Sequence, residues 1–140
     1  MPLLMPRKVK HRKHHKRSAT TVATTGTTLA FGAFGLRSLD SAWVTARSLE
    51  AARRAMTHYV QRSGKIWVRT FPDKPRTTKG NEVPMGGGKG AVDHFVAVVR
   101  KGQILFEMDG ISEQMAEEAL TLAARKLPVK TALVKRTTLF

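Results

Sequence analysis

Seven Lys or Arg residues lie between Arg7 and Arg17, and no acidic residue occurs before Asp40. The string MPRKVKHRKHHKR at 5–17 offers Val9 as its one apolar side chain after the opening Met-Pro. Its like charges repel at helical and strand spacings alike, so it cannot form a buried element. It reads as an arm, mobile alone and ordered on phosphates. The eleven residues Ser18 to Thr28 include seven Ser or Thr and Gly26, a composition that disfavours helix and suits a loop. The arm and linker therefore span 1–28, and a single domain spans 29–140.

The whole chain has 140 residues, 25 Lys+Arg against 10 Asp+Glu and a formal charge of +15. That length is room for one core. Self-repulsion on this scale calls for a polyanionic partner. Because 41% of the residues are hydrophobic, the chain can still build a core and is not a disordered basic polymer. There is no cysteine, hence no disulfide and no thiolate metal site, which fits a reducing compartment. No apolar run approaches the roughly 20 residues of a membrane span, and Met1 to Met5 is too short for the core of a signal peptide. The acid-free, Ser/Thr-rich start would also suit an organellar transit peptide; a native basic arm is the reading taken, with a cytoplasmic location.

From Leu29 the pattern is that of a compact domain. Leu29 to Leu36, interrupted by Gly32 and Gly35, predicts an irregular strand that is bulged or closely approached by other backbone. Thr45 can cap a helix running to about Gln61 or Arg62, with Leu49, Ala52, Met56, Tyr59 and Val60 on one arc. Arg47, Glu50, Arg54, His58 and Gln61 fall opposite, and Gly64 closes the helix. Lys65 to Phe71 predicts a strand, with Ile66 and Val68 toward the core and Trp67 on the opposite face, toward RNA. Residues 72–91 lack apolar periodicity and contain MGGGKG, which predicts a long glycine-hinged loop. Val92 to Val99 and Gln103 to Met108 predict a strand pair joined by a turn at Arg100 to Gly102. Ser112 caps a second helix, buried through Met115, Ala119, Leu122 and Ala123, carrying Arg125 and Lys126 at its end and stopped by Pro128. Val129 to Val134 is the last strand. Two helices on one mixed, mainly antiparallel sheet give an α+β two-layer sandwich.

The enzymatic readings are weak. Around His11, His14 and His15 the dense positive charge opposes a divalent ion, so no metal site is expected. MGGGKG lacks the glycine spacing and the Ser/Thr of a P-loop, and a strand follows it rather than a helix. Glu107 and Asp109 have no histidine or serine arranged around them, and turn-making or a salt bridge to a neighbouring Arg is their expected use. No catalytic residue and no cofactor is expected. What remains are cations distributed over the arm, one helix face, the strand-edge positions Arg69, Lys74 and Arg76, the glycine loop and the C-terminus. Such a distribution holds a folded RNA by its phosphates without reading sequence.

The segment Arg53 to Pro75, RRAMTHYVQRSGKIWVRTFPDKP, resembles the signature region of the bacterial-type large-subunit ribosomal protein L-sixteen family. The opening MPRKVKHRKHHKR, FGAFGL at 31–36, TARSLEAARRAM at 45–56, MGGGKG at 85–90, FEMDG at 106–110 and AARKLPVKT at 123–131 extend the resemblance over nearly the whole chain. It implies a structural constituent of the large ribosomal subunit that binds large-subunit rRNA and lies beside the aminoacyl-tRNA site. It also implies support for late subunit assembly and tRNA positioning. Neighbouring ribosomal proteins are then further partners, with no membrane and no homo-oligomer. By motif, Arg7, Lys8, Lys10, His11, Arg12, Lys13, His14, Lys16 and Arg17 would contact rRNA along the arm. Arg53, Arg54, Arg69, Lys74 and Arg76 would add contacts from the domain. Met85, Gly86, Gly87, Gly88, Lys89 and Gly90 would form a tRNA-facing loop tip. The chain departs from the family at Pro84, where an arginine is frequent, and at Gly87, where a lysine is. Lys89 is consequently the sole cation between Lys79 and Arg100. A free-standing RNA-binding or ribosome-assembly factor is the alternative reading.

Overall fold

The computed structural model describes residues 3–18 and 20–137. Met1 and Pro2 of the apolar opening, Ala19 of the linker and 138–140 of the domain lie outside the described residues. Seven strands and two helices follow in the order β1 (Phe34–Ser38), β2 (Ala42–Thr45), α1 (Ala46–Tyr59), β3 (Lys65–Val68), β4 (Lys74–Thr78), β5 (Ala91–Val99), β6 (Ile104–Asp109), α2 (Glu113–Ala124) and β7 (Thr131–Lys135). The fold is α+β, as the pattern predicts, with every strand pairing antiparallel. The expected single sheet is in fact two, ordered β3-β6-β1-β7 and β2-β5-β4.

The division into two sheets corrects the expected β5–β6 hairpin. Gly102, at φ 94°, turns the chain, but its N–H donates to Ser38 O at 2.8 Å, and Ser38 N–H donates to Gln103 O at 2.9 Å. The end of β1 captures the turn and leads β6 into the larger sheet, while β5 pairs with β2 and β4. Both β2 and β4 escape the sequence pattern. The first is four residues long, and the second, Lys-Pro-Arg-Thr-Thr, has almost no apolar content. With β4 formed, the stretch without regular structure is 79–90 rather than 72–91.

Helix α1 begins where Thr45 accepts a hydrogen bond from Ser48 N, the capping geometry its sequence predicts. Leu49, Ala52, Met56 and Val60 are buried. Glu50 departs from the helical pattern: assigned to the wet face, it is 8% exposed because Arg53 and Arg54 fold over it. The helix ends at Tyr59, and Gln61 and Arg62 take left-handed φ of 53° and 63° before Gly64 does. Gly64 is required for a further reason, since a Cβ there would lie 2.6 Å from Asp109 O. In α2, Ser112 accepts from Met115 N, and the buried residues are Ala116, Ala119, Leu120 and Ala123. Met115 and Leu122, expected inside, are half-buried, and the helix ends four residues before Pro128, leaving Arg125 and Lys126 beyond its last turn.

The core lies between the helices and the sheets. Leu36, Phe106 and Met108 from the larger sheet meet Val44, Ala97 and Val99 from the smaller one, with Leu49, Met56 and Leu120 from the helices. Ile66 and Val68 pack against this cluster, on the side expected of them. The irregularity expected near Gly32 and Gly35 also has a structural cause. The β1–β6 register shifts between Leu36 and Arg37, and a Cβ on Gly32 would lie 2.5 Å from Met108 O.

Candidate nucleic-acid interface

The arm lies along the domain instead of projecting from it. Leu3, Leu4 and Met5 line a cavity of about 300 Å³ with the start of α1 and with Asp93, His94 and Phe95 of β5. Farther along, Lys74 Nζ donates to Arg17 O at 3.1 Å. Val22 forms an isolated parallel bridge with Lys101, and Ile104 N–H donates to Gly26 O at 2.8 Å. Residues 14–18 and 20–26 thereby cross the smaller sheet and the turn that joins the two sheets. Every residue from Arg7 to Arg17 is exposed.

The glycine loop is drawn to the same place. Lys89 Nζ donates to His14 O, and Lys13 Nζ donates back to Lys89 O at 3.0 Å. Gly86, Gly87 and Gly88 all have positive φ, with open space where a Cβ would stand. Lys79 Nζ reaches Gly86 O at 2.6 Å and ties the base of the loop to its tip. Met85, at the tip, is 96% exposed. Arm, loop and β4 thus present Lys13, Lys16, Lys74, Arg76 and Lys89 on one side of the molecule.

The remaining sequence-predicted cations are used differently. Arg53 engages both carboxylate oxygens of Glu50, at 2.9 and 2.6 Å, while Arg54 Nε reaches Oε1 at 3.0 Å. These bonds, Arg53's foremost, outweigh burial and hold Glu50 below the usual carboxylate range. One carboxylate shared by two guanidiniums leaves a net positive charge and fixes both side chains. They line an open groove with Thr57, His58, Gln61 and Arg62.

Arg69 is half-buried in this structure. Its guanidinium pairs with Glu107, a carboxylate with no solvent exposure. Three successive N–H groups also donate to Glu107: Ala30 at 3.1 Å, Phe31 at 2.7 Å and Gly32 at 2.7 Å. Burial alone would raise the pKa of Glu107; the backbone donors and Arg69 overcome it and hold the carboxyl below its ordinary value. The salt bridge expected of Glu107 is present, and its function is structural: it pins residues 30–32 across the larger sheet. Phe31 then stacks on Trp67 with centroids 5.9 Å apart. Trp67 does lie on the face opposite Ile66 and Val68, but the ring offered to RNA is covered by the chain's own phenylalanine.

Trp43 is a site residue that sequence reading passed over. Lys74 Nζ is 4.7 Å and the Arg76 guanidinium 4.6 Å from its ring centroid. The alternation Ala42, Trp43, Val44 was the available signal, since Val44 inside requires Trp43 outside. Recognising it required knowing that β5 lies between β2 and β4.

A family model described as ribosomal protein L16p/L10e matches residues 6–134, nearly the whole chain, arm and loop included.

Proposed function

The chain belongs to the ribosomal protein L16p/L10e family, a structural component of the large ribosomal subunit that binds rRNA, and from that premise we propose that it also contacts tRNA at or near the aminoacyl site. Residues 1–28 serve as the rRNA-bound arm and 29–140 as the rRNA-binding domain. Met85 to Gly90 is the edge that reaches tRNA, and the chain supports late subunit assembly and tRNA positioning without chemistry of its own. The observation that carries this reading is the joining of arm and loop through Lys13, His14 and Lys89. Two segments far apart in sequence form one cationic side, so rRNA that seats the arm also orients the loop.

Phosphate contacts position a protein without specifying sequence, which is what a permanent resident of a folded RNA needs. Permanent neutralisation also suits a charge of +15 better than repeated release from RNA would. The same argument disfavours a free-standing assembly factor. The described residues contain no helix long and apolar enough to cross a membrane.

Two measurements test the proposal. The protein should remain with large subunits through a high-salt wash, and its loss there would return the assembly-factor reading. Large subunits reconstituted without it should bind aminoacyl-tRNA more weakly, and equal binding would remove the tRNA role.

A further inference from the structure

Beneath the arm lies a concavity of about 200 Å³, lined by His14, Lys16, Trp43, Lys74, Arg76 and Lys89 among others, and by no carboxylate. Four fixed cations converge on it from three separate segments: arm, β4 and loop. Like charges held this close are unfavourable unless something negative lies between them. The ring of Trp43 supplies part of that compensation, because Lys74 and Arg76 both lie over it at cation–π distance. The aromatic face is a weak counter-charge, so the pair remains available to a true anion. In volume the concavity falls below the roughly 300 Å³ at which pockets for whole small-molecule ligands begin. It suits a phosphate group with the edge of its sugar.

Resting on the rRNA-binding reading above, we propose that this socket takes a single phosphodiester of an RNA strand, shared by Lys74 and Arg76, with Trp43 as the positioning residue that holds the two cations side by side. The shared phosphate is what distinguishes the socket from a general basic surface. Lys74 and Arg76 stand two positions apart on β4, so both side chains leave the same face of the strand. Arg17 O accepts from Lys74 Nζ at 3.1 Å, so the arm's backbone closes one side of the opening.

The test is the salt dependence of the full-length protein binding large-subunit rRNA, measured for the parent, Lys74→Gln, Arg76→Gln and the double variant. Each phosphate neutralised contributes roughly 0.7 to 0.9 to the slope of log affinity against log salt. A phosphate shared by two cations stays neutralised when one is removed. Each single variant should therefore lower the slope by less than about 0.5, and the double variant by about 0.9. Losses of about 0.9 in each single variant and about 1.8 in the double would mean separate phosphates and would overturn the proposal. An unchanged double variant would overturn it equally, by showing that the pair does not meet the RNA. Trp43→Phe, which keeps a ring, should retain the parent slope and affinity. Trp43→Leu keeps both cations but no longer holds them side by side, so it should lower affinity with a slope loss smaller than that of the double variant. Parent-like affinity in Trp43→Leu would overturn the positioning role. Replacing chloride with inorganic phosphate at equal ionic strength should weaken RNA binding by the parent more than by the double variant, because the free ion competes with the phosphodiester for the socket. Equal weakening of the two would overturn the proposal. A shallow slope in the parent itself would count against rRNA binding as a whole, a failure distinguishable from that of the socket.

Discussion

Arg69 and Arg76 are close in sequence, and each lies over an aromatic ring, Phe31 at 5.3 Å and Trp43 at 4.6 Å. Their surroundings differ in one respect. Arg69 meets the buried carboxylate of Glu107 and becomes part of the scaffold. Arg76 meets Lys74, Lys16 and Lys89, with no carboxylate in the socket they line. Arg69 thus belongs to the scaffold and Arg76 to the binding surface, because a buried carboxylate reaches the first and, among the described residues, none reaches the second.

That comparison can be broken most forcefully at Glu107. Glu107→Gln replaces an acceptor of three N–H groups and a guanidinium with an amide that has one acceptor oxygen. Breaking the Arg69–Glu107 pair and leaving its N–H donors short of acceptors costs about 3 to 5 kcal/mol. A denaturant melt should show a loss of that size, and a loss under about 1 kcal/mol would mean that the carboxylate does not hold the scaffold. The effect has a pH signature. Because its folded pKa is depressed, Glu107 stabilises the protein above the ordinary carboxylate value of about 4.3, and the contribution disappears as pH falls below that value through the folded pKa. The parent should lose stability in that acid window, and Glu107→Gln should lose less.

Next in size is removal of residues 1–17, which sharpens the opposite side of the comparison. The slope of log affinity against log salt on the rRNA should fall by up to about 0.9 for each arm phosphate lost. The melting midpoint should change little, because the arm touches the domain through exposed side chains, Leu3, Leu4 and Met5 at its start and a few exposed hydrogen bonds farther along. An unchanged slope with a lowered midpoint would make the arm scaffold.

Val68→Ala should cost about 1 kcal/mol, less than a fully enclosed valine, since Val68 is only half-buried against the core. Lys89→Ala is the smallest change, within about 0.5 kcal/mol for an exposed side chain. In reconstituted subunits it should weaken aminoacyl-tRNA occupancy modestly, since one exposed cation beside a phosphate is screened by water and salt. A Lys89→Ala protein that fails to fold would assign the loop to the scaffold.

Local chemistry by itself determined much of this protein. Thr45 and Ser112 cap helices because their hydroxyls accept from backbone N–H groups three residues on, a relation contained within four residues of sequence. The arm's exposure follows from like charges with no acid near them in the chain, and the placement of Ile66 and Val68 opposite Trp67 follows from strand alternation. Tertiary structure decided whatever depended on partners distant in sequence. Ser38 captured the turn at Gly102 and split the expected sheet in two. Glu107 gathered the N–H groups of residues 30–32, more than seventy positions away, and took the guanidinium of half-buried Arg69 as its ion-pair partner. Trp43 reached Lys74 and Arg76 only because β5 lies between their strands. Hydrogen bonds and ion pairs act over a few ångströms whatever the separation along the chain, so which charges remain free for RNA is settled only when the sheets have formed.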